Sequence, residues 1–269
     1  MSAIDQLFTQ LRASDKKALM PFVTAGFPSL ETTEAVLRNL GAAGADLCEL
    51  GVPYSDPIAD GPVIQASYQQ ALEQGFRLQS VFDLGKRLGS EVSMPRVTMV
   101  SYSIIHRIGT EAYVQKAKES GYAGAIVPDL LVEEAEEFAK ICQAADFSLI
   151  QLVTPTTPKS RQVRIANSSS GFLYYVSVTG ITGERTKLPT DLEENVRWLR
   201  GETDLPICIG FGISSPETAA QLAPVADGLI VGSAIVRRIA QSKDAPDAVK
   251  NVCEFVGELR QAMDAATAN

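Results

Sequence analysis

The chain has 269 residues, 45% of them hydrophobic and 21% charged, a size that can bury a full core without disulfide or metal staples. Its 24 basic and 32 acidic residues leave a net charge of −8. That balance argues against nucleic acid and anionic membrane surfaces as general partners, and any phosphate ligand must be held by local features. Cys48, Cys142, Cys208 and Cys253 form no CxxC pair and read as reduced, buried thiols of a cytoplasmic protein.

Residues 1–15 read as a mixed polar helix without an apolar secretory core, and no apolar run reaches the roughly 18 residues of a membrane span. Beyond them, short apolar runs alternate with amphipathic stretches. The strand candidates are Ala18–Ala25, Leu47–Val52, Arg96–Tyr102, Ala125–Pro128, Leu149–Thr154, Phe172–Ser177, Pro206–Gly210 and Gly228–Val231. They are β-branched, largely uncharged and bounded by Gly or Pro, as strands buried on both faces should be. Between the first two, Leu30–Ala43 sets Val36, Leu37 and Leu40 on one stripe. After the second comes a Pro/Asp/Gly loop, Tyr54–Gly61, with room for an added helix near Gln65–Gln74. A second long, polar, glycine-bearing loop, Gly180–Pro189, follows the sixth strand. Ser215-Pro216-Glu217 reads as an N-cap, a first-turn proline and an acid in the positive first turn. The last helix, from about Pro246, repeats Val249, Val252, Val256, Leu259 and Met263 at helical spacing. Strand alternating with helix implies parallel strands and right-handed crossovers. At this length the expected closure is a (β/α)8 TIM barrel, one domain over residues 1–269, with an extra N-terminal helix and long loops after strands two and six. A doubly wound open sheet is the alternative, although Gly26-Phe27-Pro28 is no Rossmann fingerprint.

The chemistry concentrates after strand two. Glu49 lies inside an apolar run, where a charge costs several kcal/mol unless it is paired or protonated. If Leu50 and Val52 face the helices, Leu47, Glu49 and Gly51 face the barrel interior. Desolvation then raises the Glu49 pKa into the working range of a general acid or base. The competing reading is a Glu paired to a buried Arg or Lys. Asp60 is weaker evidence by itself, since Asp-Gly is a common turn. Glycine-bearing strand ends, Gly180–Gly183, Gly210–Gly212 and Gly232-Ser233, suggest a phosphate cradle, with Ser233 opening a short helix over Ala234–Ala240. Plain turns would also explain each. Phe22, Tyr102 (on strand three), Tyr174 and Phe211 gather at the same end, as pocket lining or as core.

Absences narrow the mechanism. His106, the only histidine, reads as a loop residue and cannot assemble a histidine-rich metal site. No lysine sits in a predicted strand or at its immediate end; Lys159 and Lys187 lie farther out, which disfavours Schiff-base chemistry. Carboxylate acid/base chemistry on a phosphorylated, aromatic substrate remains.

The run Glu49-Leu50-Gly51-Val52-Pro53-Tyr54-Ser55-Asp56-Pro57-Ile58-Ala59-Asp60-Gly61 resembles the signature of the tryptophan synthase α subunit family. Pro21–Gly26, Gly180–Gly183, Gly210–Gly212 and Gly232-Ser233 match that family's other segments in order, so the resemblance covers essentially the whole chain. It implies a (β/α)8 barrel that cleaves indole-3-glycerol phosphate to indole and glyceraldehyde 3-phosphate. By the same resemblance, Glu49 is the acid/base and Asp60 hydrogen-bonds the indole N–H. Phe22, Val100, Tyr102, Tyr174 and Phe211 fall at the indole pocket, and Gly183, Gly212, Gly232 and Ser233 at the phosphate. Thr182 closes over the substrate and orients Asp60. The family docks on a β subunit in an α2β2 complex, partly through the Pro53–Asp60 loop, with Pro53 and Asp56 at the contact. Pyridoxal phosphate belongs to that partner, and no cofactor is expected in this chain. A stand-alone lyase releasing free indole would use the same barrel and acids.

Overall fold

The apolar runs pair as parallel strands in the computed structural model, which describes residues 2–58, 60–177, 192–210 and 212–268. The strands are β1 (Ala18–Thr24), β2 (Cys48–Gly51), β3 (Arg96–Met99), β4 (Gly124–Ile126), β5 (Ser148–Ile150), β6 (Leu152–Val153), β7 (Leu173–Val176), β8 (Ile207–Gly210) and β9 (Gly228–Val231). Their order in the sheet is β5-β4-β3-β2-β1-β9-β8-β7-β6. β5 and β6 are consecutive pieces of the predicted fifth strand, separated by Gln151 alone. β5 pairs with β4 and β6 with β7, so a single run of chain joins both ends of the sheet. The Gln151 carbonyl accepts from the Tyr174 amide at 3.1 Å, carrying the ladder across the break. The result is the expected TIM barrel rather than an open sheet.

Helices α1 (Ala3–Ala13), α2 (Leu30–Leu40), α3 (Pro62–Glu73), α4 (Leu78–Leu88), α5 (Tyr102–Ile108), α6 (Thr110–Glu119), α7 (Ala135–Ala144), α8 (Lys159–Asn167), α9 (Leu192–Arg200), α10 (Pro216–Leu222), α11 (Ser233–Gln241) and α12 (Ala245–Thr267) surround the strands. Local chemistry sets several starts: Ser29, Ser215 and Asp244 accept from the amides of Thr32, Thr218 and Asp247. The predicted stripe of α12 holds, with Val252, Val256, Leu259 and Met263 buried. α1 lies against the N-terminal end of the barrel. Its Phe8 ring sits 5.9 Å from Phe172, and the Ser148 hydroxyl on β5 donates to the capping Ser2 at 3.0 Å.

The alternation of side chains decides which face looks inward. Thr98 is paired with the Tyr113 hydroxyl of α6 at 2.7 Å, so Thr98 points outward and Val97 inward. Glu49 lies beside Val97 in the β2–β3 register and beside Phe22 in the β1–β2 register. Residues level with one another in a parallel pair share a face. Phe22, Glu49 and Val97 therefore line the interior together.

Three expectations are corrected. The third strand stops at Met99, and Tyr102 opens α5 instead of ending the strand. The cause is Asp129, whose carboxylate accepts from the Ser101 hydroxyl and the Tyr102 amide, both at 2.7 Å, an acid seated at a helix N-terminus. His106 consequently lies within α5 rather than in a loop. Cys253 is only partly buried, unlike the other three thiols.

Gly85 shows how closely the helices are seated. A Cβ there would stand 2.3 Å from the Ser120 carbonyl oxygen and 2.8 Å from the Tyr122 ring. Alanine would gain about 1 kcal/mol of helix propensity, whereas overpacking of a filled contact costs about 1–3 kcal/mol. Gly85→Ala is expected to lower the denaturation midpoint in urea, against the propensity scale.

Candidate active site

β2 carries Glu49 to the mouth of the barrel, and the loop that follows returns a second acid over it. That loop is tied down by main-chain bonds. The Ile58 amide donates to the Asp56 carbonyl at 2.8 Å and the Asp60 amide to the Pro57 carbonyl at 3.1 Å. The Gln65 amide group reaches back from α3 to the carbonyls of Pro57 and Asp60, at 3.2 and 2.8 Å. Pro62 at the first helical position then fixes where the loop ends.

Both acids are sealed off: Glu49 is 1% and Asp60 2% exposed. Glu49 Oε2 and Asp60 Oδ2 have no hydrogen-bond partner among the described residues. Among the described residues, Glu49 forms no ion pair. Arg96, on the neighbouring strand, is level with Cys48 rather than Glu49 and gives its guanidinium to the Val92 and Gly121 carbonyls. Asp60 does sit in a turn, through its amide bond to the Pro57 carbonyl, but its carboxylate is buried instead of solvated. Burial, with the Asp60 charge adding to it, pushes the Glu49 carboxyl up to about 8. Burial alone pushes Asp60 up to about 7. Burial thus favours the protonated form of Glu49 at neutral pH.

The apolar walls are shaped by two glycines. A Cβ on Gly51 would come within 2.3 Å of the Phe22 ring, and one on Gly210 within 2.1 Å of the Tyr174 hydroxyl. Phe22 and Tyr174 both occupy space above strands that lack side chains there. Burial raises the Tyr174 hydroxyl well above its ordinary value, and the charges of Glu49 and Asp60 raise it further, placing it toward the acids. Val100 is buried directly after β3. The Tyr102 ring, displaced from the strand, packs near His106 and Phe138, with centroids 6.1 Å away in each case.

On the other side of Phe22 stands Gly232, whose Cβ would lie 3.8 Å from Phe22 Cβ. It precedes α11, with Ser233 as the first helical residue, so the N-terminus of that helix starts at the C-terminal end of β9, a position that favours an anion. Gly212 has a φ of +79°, a conformation that suits glycine, and follows the end of β8. Phe22 is therefore flanked by an acid on one strand and by the candidate phosphate cradle on the other. Thr182, Gly183 and Phe211 lie outside the described residues, as does the rest of the Gly180–Pro189 loop. Pro53 is buried and Asp56 exposed on the loop after β2. A cleft of about 450 Å³ at the opposite end, between α1 and residues 202–206, contains neither acid.

The family model described as tryptophan synthase alpha chain matches residues 8–264. The chain belongs to that family. It is 65% identical to the tryptophan synthase alpha chain of Rhodopirellula baltica over 278 residues, covering 99% of this chain and 100% of that one. It is 43% identical to the alpha chain of Caldanaerobacter subterraneus subsp. tengcongensis over 263 residues, covering 98% and 100%. The crystal structure of tryptophan synthase subunit alpha from Legionella pneumophila superposes with a TM-score of 0.90 at 33% identity, covering 98% of this chain and 99% of that one.

The alpha-chain signature passes over one part of the buried patch. Thr24 at the end of β1 pairs with Ser67 of α3 at 2.7 Å, and the Tyr68 ring lies 5.7 Å from that of Tyr54. Ile64, Ser67, Tyr68 and Ala71 form the buried face of α3. A hydroxyl recurring on an otherwise apolar helical stripe was the available signal.

The raised Glu49 value has a consequence for stability. Below pH 4.5, the ordinary value, folded and unfolded chains both hold this proton. Between there and about 8 the unfolded chain releases it while the folded chain keeps it, so rising pH weakens folding. Glu49→Gln carries no such penalty. Its melting temperature should match the parent near pH 4.5 and exceed it by several degrees, roughly 5 °C, at pH 9.

Proposed function

We propose that this chain catalyses the alpha reaction of tryptophan synthase, the retro-aldol cleavage of indole-3-glycerol phosphate to indole and glyceraldehyde 3-phosphate. The observation that carries the reading is the pair of buried carboxyls, uncompensated among the described residues, on one side of Phe22, with the glycine-ended strands on the other. The phosphate is held by the amides at Gly212, Gly232 and Ser233, with Gly183 completing the cradle. The ring lies among Phe22, Val100, Tyr102, Tyr174 and Phe211.

The proton held by Glu49 goes to indole C3, making that carbon tetrahedral and the ring cationic. Asp60 accepts the indole N–H and stabilises the developing positive charge. The bond from C3 to the glyceryl carbon then breaks, its electrons returning to the ring. The hydroxyl on that glyceryl carbon becomes the aldehyde carbonyl and surrenders its proton to the Glu49 carboxylate, which ends the cycle as it began. Thr182 orients Asp60 as the loop closes. Acid/base assistance of this kind is worth about 10²–10⁴ in rate. Glu49→Gln and Asp60→Asn should each cut indole formation by about that factor, while glycerol-phosphate ligands still bind within about threefold. Full activity in either variant would remove the mechanism.

The chain acts in an α2β2 complex that passes indole to a pyridoxal-phosphate β subunit. The exposed rim of the mouth supports this. Ile58 is 81% exposed on the same loop as Pro53 and Asp56, and Leu131 is 54% exposed. Both follow the C-terminal ends of strands, β2 and β4, on the barrel face that carries the proposed site. Ile58→Glu should leave unaided indole release unchanged and reduce its stimulation by the β subunit about tenfold or more. An absence of any stimulation in the parent would favour the stand-alone lyase.

A further inference from the structure

Tyr68 is a third polar group in the acid patch, and neither packing nor the mechanism above explains its hydroxyl. The residue is fully buried on α3, and Oη has no hydrogen-bond partner among the described residues. Leaving a buried hydroxyl unpaired is costly, and phenylalanine would fill the same space without the cost. The position of Oη is fixed by Gly51, whose Cβ would stand 2.6 Å from it and 2.3 Å from Phe22 Cζ. Gly51 is two residues beyond Glu49 on the same face of β2, so Oη sits one layer closer to the mouth, at the edge of the Phe22 ring. The Thr24–Ser67 bond holds this turn of α3 against β1. The charge that acts most strongly on Oη is that of Asp60, followed by Tyr54 and Glu49.

We propose that Tyr68 is a positioning residue for Asp60, its hydroxyl donating to Oδ2 once the carboxylate is charged and leaving the other oxygen for the ring N–H of the substrate. The inference rests on the role given to Asp60 above. The titratable groups around the pair are Glu49 from β2, Tyr54 from the loop and Tyr174 from β7. β1 presents Phe22 and Thr24, which carry no charge. α11 carries Arg237 and Arg238, but Arg238 stacks on Phe255 and neither arginine shifts Asp60 or Tyr68. Tyr54 is partly exposed and can turn to water. Tyr68 cannot.

A hydrogen bond to the charged form lowers a carboxyl pKa. Tyr68→Phe should therefore move the acidic limb of the kcat profile up by about one pH unit and lower kcat at neutral pH about tenfold. KM should stay within about threefold, and the unfolding temperature should not fall. A Phe variant with the parent's kcat and acidic limb would overturn the proposal. If that variant does not fold, 3-fluorotyrosine at position 68 decides: its stronger donor should move the limb down, and an unmoved limb overturns the proposal. Asp60→Asn measured alongside separates the two readings. An active Asp60→Asn removes the role of Asp60 itself, whereas an inactive Asp60→Asn beside a parent-like Tyr68→Phe removes only the part played by Tyr68.

Discussion

A buried carboxyl group, with no cation beside it among the described residues, is the constraint on which the rest of this molecule depends. Removing Glu49 from water costs several kcal/mol in its charged form. The fold meets that cost by letting the group keep its proton, not by pairing it. Such an arrangement holds only if nearby cations are turned away. Arg96, one position earlier in register, is bound on the outer side of the barrel by two carbonyls. A second acid in the same low-dielectric patch reinforces the effect, since the Asp60 charge opposes ionisation of Glu49.

Space for this chemistry comes from residues that are absent as much as from those present. Gly51 and Gly210 leave gaps in two strands, and Phe22 and Tyr174 fill them with flat surface. Glu49 and the amides at the head of α11 are placed on opposite flanks of Phe22 by register alone, through β1–β2 and β1–β9 pairing. The geometry is a property of closed-barrel pairing.

Much of this was legible in the chain. The alternation of apolar runs with amphipathic stretches gave the barrel, and a lone acid within an apolar run gave Glu49, because few other patterns place a carboxylate inside a strand. Less could be read where tertiary contacts override local pattern. The apolar run through Val100 and Tyr102 favours continued strand, but Asp129, distant in sequence, seats a helix start at Tyr102. The split at Gln151 reflects ring closure between β4 and β7, which no local signal encodes. Asp60 was ambiguous until its burial was known. Tyr68 is not legible, because a tyrosine at helical spacing ordinarily reads as core.

The protonated state of Glu49 also bears on how a dianion reaches an acidic molecule. Two ionised carboxylates at the mouth would repel an incoming phosphate at short range, where water screens least. A neutral Glu49 halves that local charge before the encounter, so the positive end of α11 is opposed by one acid instead of two. The proton that burial keeps on Glu49 thus lessens the repulsion an anion meets at the entrance.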